Sequence, residues 1–264
     1  MKIALTIAGS DSGGGAGIQA DLKTFQQFGV FGTSVVVALT AQNTRGVRAV
    51  EAVSEAMVSA QLAALAEDLP PAALKTGMLA EAGLVRLVSQ AVRENGWAPL
   101  VVDPVMVSTS GHRLLTLEAE EVVRESLLPL AAVVTPNLDE AAILTGRAVH
   151  DVPSMERAGE TLLSFGAGAA LVKGGHLTGI EVTDVLVTPD GIRCFIRPRL
   201  DTTSTHGTGC TLSAAITAGL ALGQDLERSV EAALDYVQRA IAAAPGLGAG
   251  HGPLNHTVPA RLSS

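Results

Sequence analysis

Short apolar runs alternate with stretches of helical period along almost the whole chain, and this alternation is the strongest constraint on its fold. Ile3–Ile7, Ser34–Leu39, Val47–Val53, Ala72–Lys75, Leu100–Met106, Ala131–Val134 and Ala169–Val172 read as strands. Between them, residues 18–28, 55–65, 80–93, 118–128 and 154–165 read as helices. Strand–helix alternation predicts an α/β fold with a largely parallel central sheet and helices on both faces. Val182–Val187 and Ile192–Phe195, split by turn residues, predict a hairpin. Aromatics are 3% of the chain and hydrophobic residues 47%, so the core is built from Ala, Val, Leu and Ile, as suits a sheet buried on both faces. No repeat, low-complexity block or linker interrupts residues 1–264, which predicts one domain.

The chemistry concentrates in Asp201–Ala214. A polar, turn-forming segment there runs into a small-residue apolar helix, with Gly207, Thr208, Gly209 and Cys210 at the junction. The first N–H groups of a helix lack partners inside it and carry the positive end of its dipole. Glycines admit a ligand to that backbone. The junction therefore reads as an anion socket with a thiol at its rim, and a helix N-terminus lowers a thiol pKa, which predicts a Cys210 thiolate. A glycine-bearing cap with Cys210 as a small core residue is the structural alternative.

Other polar cues fall at strand ends. Gly9–Gly17 links a strand to a helix, but it matches neither GxGxxG nor GxxxxGK[ST]. Asp11 within this loop and Asp21 after it suit either a turn or a site. Gln42 and Asn43 lie in an uncharged cluster, 40–44, and an amide can read both donors and acceptors of a heterocycle. Met78 closes the run Thr76-Gly-Met78. Asp103 stands where a strand meets a proline, fit to cap a turn or to face Mg²⁺. Asn137 and Glu140 fit a capping box at a helix start. Lys173, followed by two glycines and His176, suits a phosphate clamp under a flap or a plain turn. Each cue has a bland alternative, but all fall on one edge of the predicted sheet, and in open α/β sheets ligands sit there.

Composition narrows the class. Net charge is −8, which argues against a nucleic-acid partner. Two cysteines, Cys194 and Cys210, with no CxxC, argue against zinc or a disulfide framework and for a reducing cytoplasm. No apolar run approaches membrane-spanning length.

Ala8–Lys23, Ala41-Gln-Asn-Thr44, Lys75-Thr-Gly-Met78, Val102–Met106, Thr135-Pro-Asn137, Lys173-Gly-Gly-His176 and Thr205-His-Gly-Thr-Gly-Cys210 together closely resemble the hydroxymethylpyrimidine/phosphomethylpyrimidine kinases of thiamine biosynthesis, members of the ribokinase-like superfamily. The resemblance runs from about residue 3 to about residue 254. It implies a homodimeric ribokinase-like kinase that uses Mg²⁺ and ATP to phosphorylate 4-amino-5-hydroxymethyl-2-methylpyrimidine and then its monophosphate. By matched position it implies Gly9, Asp21, Gln42 and Met78 at the pyrimidine, and Asn137 and Lys173 at ATP. Asp103 and Glu140 fall at the metal, Gly207, Thr208 and Gly209 form the anion hole, and Cys210 and Lys173 are catalytic. A pyridoxine or pyridoxal kinase is the rival within the superfamily. A dinucleotide oxidoreductase lacks its fingerprint here. A cysteine hydrolase would pair Cys210 with His206 or His176. A non-catalytic sensor would have no need of the catalytic-type residues.

Overall fold

The computed structural model describes residues 1–106 and 116–261. Strands β1 (Ile3–Asp11), β2 (Phe31–Asn43), β3 (Gly46–Ala52), β4 (Ala73–Thr76), β5 (Leu100–Val102), β6 (Ala131–Val134), β7 (Ala170–Val172), β8 (Glu181–Thr188) and β9 (Gly191–Pro198) form one sheet, ordered β3-β2-β1-β4-β5-β6-β7-β8-β9. From β2 through β7 the neighbours are parallel, while β3 and the β8–β9 hairpin add antiparallel edges.

The helices are α1 (Gly17–Gln27), α2 (Glu55–Asp68), α3 (Ala82–Glu94), α4 (Leu117–Val122), α5 (Leu138–Thr145), α6 (Val152–Ser164), α7 (Thr208–Ala221) and α8 (Leu226–Ala242). Strand side chains alternate between faces. Leu5, Leu74, Leu100, Val102 and Val134 pack with Val58, Leu62, Leu84 and Val88 on the side of α2 and α3. Ala4, Ala73, Val101 and Val133 pack with Phe25, Ile216 and Tyr236 on the side of α1, α7 and α8. Ala4 and Ala73 are small, and so are Ala214, Ala215 and Ala218, all buried in that same layer with α7. Helix α7 is buried from Thr211 to Gly219, as expected for a helix that is apolar all round. Among the described residues, no helix is long and apolar enough to cross a membrane.

Three boundaries differ from the sequence reading. Strand β2 runs on to Asn43, because β3 folds back antiparallel and pairs with residues 38–43. Gln42 thus sits in a hairpin rather than in a turn after a strand. The strand expected to reach Met106 ends at Val102, where Pro104 cannot extend the ladder, and Asp103 adds one last bond from its amide to the Thr76 carbonyl at 3.0 Å. The helix expected over 118–128 is regular only to Val122. It widens to a π-helical turn over Val123–Leu127 and tightens to a 3₁₀ turn over Leu128–Leu130, as it meets Pro129 and the start of β6.

After α8 the chain returns across the edge of the sheet. The His206 amide donates to the Gly252 carbonyl at 3.1 Å, and the Tyr236 hydroxyl donates to the His256 carbonyl at 3.0 Å. This brings the tail beside the start of α7.

Candidate active site

The ends of β1, β2, β4, β5, β6 and β7 and the start of α7 surround a cavity of about 600 Å³. Gly9, Gln42, Met78, Asp103, Asn137, Glu140, Lys173 and Gly207 through Cys210 all line it. Gly207 caps α7 with φ 84, and a side chain there would collide with the Gly15 carbonyl oxygen. The first carbonyl used inside the helix is that of Gly207, which accepts from Thr211 N at 2.8 Å. Thr208 turns its amide (3.2 Å) and its hydroxyl (2.7 Å) back to the Thr205 carbonyl. The amides of Gly209 and Cys210 are left without helical acceptors and form the open end of the helix.

Lys173 meets that opening. A Cβ placed on Gly209 would lie 3.3 Å from Lys173 Nζ and 3.7 Å from Asp103 Oδ2. The ammonium is 3.2 Å from Asp103 Oδ1 and 3.7 Å from Glu140 Oε2, with its side chain 15% exposed. Thr135 Oγ1 (3.4 Å) and Ser213 Oγ (3.3 Å) donate to Asp103. Two carboxylates thus face one ammonium. Burial works against the Lys173 charge, but Asp103 and Glu140 more than offset it and raise the ammonium above the ordinary lysine range. Burial and then the repulsion of Asp103 raise the Glu140 carboxyl, despite the attraction of Lys173.

The capping box at α5 is present, and it coexists with the site. Glu140 N donates to Asn137 Oδ1 at 2.9 Å, and Asn137 N donates to Glu140 Oε2 at 2.8 Å. That cap holds the Glu140 carboxylate within reach of Lys173. It also commits Asn137 Oδ1, leaving the amide nitrogen of Asn137 as the polar tip of that side chain on the cavity wall.

The opposite end of the cavity has a different character. A Cβ on Gly9 would lie 3.0 Å from Met78 Cε, so that wall is narrow and apolar. The Gln42 backbone is fixed to Ser12 Oγ by bonds of 2.7 and 2.8 Å, and its amide lies 3.3 Å from both Thr40 Oγ1 and His206 Nε2. Behind it stands a pair that the sequence reading passed over. Asp11 accepts from the amides of Gly13 (2.8 Å), Gly15 (3.0 Å) and Ala16 (2.8 Å) and from His206 Nε2 (2.9 Å). Burial opposes the Asp11 charge, but these bonds outweigh it and hold the carboxyl below the usual carboxylate range. An aspartate inside a glycine run is the local signal for such a turn. Its tie to His206 has no local signal.

Two expectations are corrected. Asp21 is not a pocket wall. Its side chain is wholly buried, holds Lys75 Nζ at 2.9 Å from both oxygens, and accepts from Thr6 Oγ1 at 2.6 Å. Burial works against the Lys75 charge, and Asp21 holds the ammonium above its ordinary range. The second correction concerns Cys210. Burial first, with Asp21 and Asp103 adding to it, pushes this thiol up to about 12, against the opposing pull of Lys75 and the Gly17 amide. The resting side chain is therefore a neutral thiol. Desolvation outweighs the positive end of the helix.

The phosphomethylpyrimidine kinase family model matches residues 11–255. The chain belongs to this family. It is 54% identical over 257 residues to the hydroxymethylpyrimidine/phosphomethylpyrimidine kinase of Rhizobium meliloti, covering 96% of each chain. Among solved structures, the phosphomethylpyrimidine kinase of Clostridium difficile superposes with a TM-score of 0.82 at 44% identity, covering 91% of this chain and 100% of that one. An ADP complex of Bacillus subtilis pyridoxal kinase superposes with a TM-score of 0.92 at 37% identity, covering 97% and 98%. The fold is ribokinase-like, and the mostly parallel sheet covered on both faces matches the expectation.

Proposed function

We propose that the chain transfers the γ-phosphoryl group of ATP to the hydroxymethyl oxygen of 4-amino-5-hydroxymethyl-2-methylpyrimidine, and then phosphorylates the monophosphate to the diphosphate. The observation that carries this reading is the meeting of Lys173, Asp103 and Glu140 with the open start of α7, in one cavity whose far end holds Gln42. Phosphoryl transfer passes through a loose transition state, so catalysis is mainly positioning and charge stabilisation. Lys173 and the amides of Gly209 and Cys210 stabilise charge on the transferred group. Asn137 lies on the Lys173 side, at the nucleotide. Gln42 pairs with the aminopyrimidine edge, and Gly9 and Met78 pack its ring. Cys210, carrying its proton, serves as a wall of the socket and not as a resting base.

The residues present fit Mg²⁺. Asp103 and Glu140 offer hard carboxylate oxygens and outnumber the single ammonium between them. Such a set suits an ion that keeps most of its ligands as phosphate and water. Mg²⁺, when bound, supplies neutralisation of phosphate charge.

We also assign the chain to the cytoplasm, consistent with two free cysteines, and to a homodimer. The outward face of the β2–β3 hairpin supports the latter, with Leu39 53% exposed.

Mass spectrometry of products after incubation with Mg·ATP tests the assignment, with the pyrimidine and pyridoxine offered in parallel. Two successive additions to the pyrimidine are expected. One addition, with pyridoxine preferred, moves the chain to the pyridoxal kinases. No product from either refutes the reading of the pocket.

A further inference from the structure

We propose that Arg199 is the positioning residue of the nucleotide side: its guanidinium shapes the 174–181 loop and so the cavity wall formed by Gly175 and His176. The inference rests on the reading above that the nucleotide lies beside Lys173.

The loop joins β7 to β8 and contains Gly174, Gly175 and Gly179, with Gly179 at φ 126. It has little bonding of its own. Leu177 N donates to the Gly174 carbonyl at 2.9 Å, and Gly174 N donates to Asp184 Oδ1 at 2.8 Å. The carbonyls of Gly175, Leu177, Gly179, Ile180 and Glu181 converge on Arg199, which follows β9. Nε donates to Gly179 O at 2.9 Å, Nη1 to Gly175 O at 2.9 Å, and Nη2 to Leu177 O and, at 3.5 Å, to Glu181 O. The main-chain amide of Arg199 adds a bond of 2.9 Å to Ile180 O. Beside it, Arg197 pairs with Asp184, the carboxylate that receives the Gly174 amide, so the root of the loop is tied as well.

A guanidinium presents five donors in a rigid plane and stays charged at all accessible pH. Here those donors face backbone carbonyls rather than the cavity, although Arg199 borders it. Arg199 therefore acts through the loop and not as a phosphate ligand. A glycine-rich segment without this guanidinium has no comparable means of holding one shape. Lysine keeps the charge but not the planar fork, so it does not substitute.

The test compares wild type, Arg199→Ala and Arg199→Lys. In hydrogen exchange without ligands, amides 175–181 should lose protection in both variants, while those of β1 and α7 do not change. Steady-state kinetics should show KM for Mg·ATP raised roughly 10- to 100-fold, with KM for the pyrimidine within about two-fold of wild type. Added guanidinium ion should restore part of the lost ATP affinity in Arg199→Ala. Unchanged exchange in the loop, equal rises in both KM values, or full activity in Arg199→Lys overturns the proposal. Should wild type phosphorylate nothing, the exchange comparison still decides whether Arg199 holds the loop, so that failure is separate.

Discussion

Two lysines paired with buried carboxylates show how the same side chain serves two ends. Lys75 lies within β4, wholly buried, with both oxygens of Asp21 at 2.9 Å. Lys173 lies just past β7, is 15% exposed, and shares its ammonium between Asp103 at 3.2 Å and Glu140 at 3.7 Å. In the first pair one carboxylate matches one ammonium, and no charge is left for a ligand. In the second, the contacts are longer, the carboxylates outnumber the cation, and the ammonium looks into a cavity beside free helix amides. A phosphate can enter the second arrangement but has no route into the first. The difference lies in stoichiometry and access, since both ammonium ions are raised above the ordinary lysine range.

The largest effect should come from breaking the closed pair. Lys75→Met leaves Asp21 buried and unpaired, which costs on the order of 3–5 kcal/mol of stability by denaturant unfolding. Lys75→Met combined with Asp21→Leu should recover most of that loss. A mild single variant would show that the pair is not closed.

A buried base with a neutral partner provides the contrast. His256 accepts or donates across 2.9 Å to Thr211 Oγ1, beside the start of α7, and burial first, then Lys23, pushes its pKa down to about 4. The folded state binds this proton less readily than the unfolded chain does, so the contribution is intact above about pH 6.5 and fades as pH falls towards 4. The loss should reach on the order of 3 kcal/mol at the acid end. His256→Gln should flatten that part of the stability profile, and an unchanged slope would assign it to another group.

Gly209→Ala adds a methyl where Lys173 Nζ would be 3.3 Å away. Turnover should fall roughly 10- to 100-fold. The melting temperature should hold or rise, because alanine is the better helix former by up to about 1 kcal/mol. A loss of both would make Gly209 a structural residue. The smallest effect concerns Cys210. In a Cys194→Ser background, its alkylation should be slow near neutral pH and climb without a plateau through about pH 10. A plateau near neutrality would restore the thiolate.

Much of this site was legible because its cues are local. A glycine before a helix, a proline ending a strand and the Asn137–Glu140 cap each declare themselves within a few residues. What the sequence withheld depends on distance along the chain or on burial. Asp11 meets His206 across 195 positions, and Asp21 meets Lys75 across 54. Matched position in the family resemblance alone puts Asp21 at the pyrimidine, and its tie to Lys75 has no local signal. Cys210 looked like a thiolate because the helix start is visible in the sequence, whereas the desolvation that outweighs it, and the carboxylates of Asp21 and Asp103 that add to it, are set by the fold around the cavity. Arg199 is inconspicuous in the sequence, since its carbonyl partners are backbone atoms of any residue type.

The most direct test is one variant, Lys173→Met, read in two ways beside wild type. Turnover of the pyrimidine with Mg·ATP should fall by about 100-fold or more, as for loss of a main charge-stabilising donor. Its melting temperature should fall by less than that of Lys75→Met, because Asp103 keeps the hydroxyls of Thr135 and Ser213, Glu140 keeps the Asn137 amide, and both face a cavity open to water. Full turnover with a collapsed melting temperature would contradict the account and make Lys173 the structural lysine.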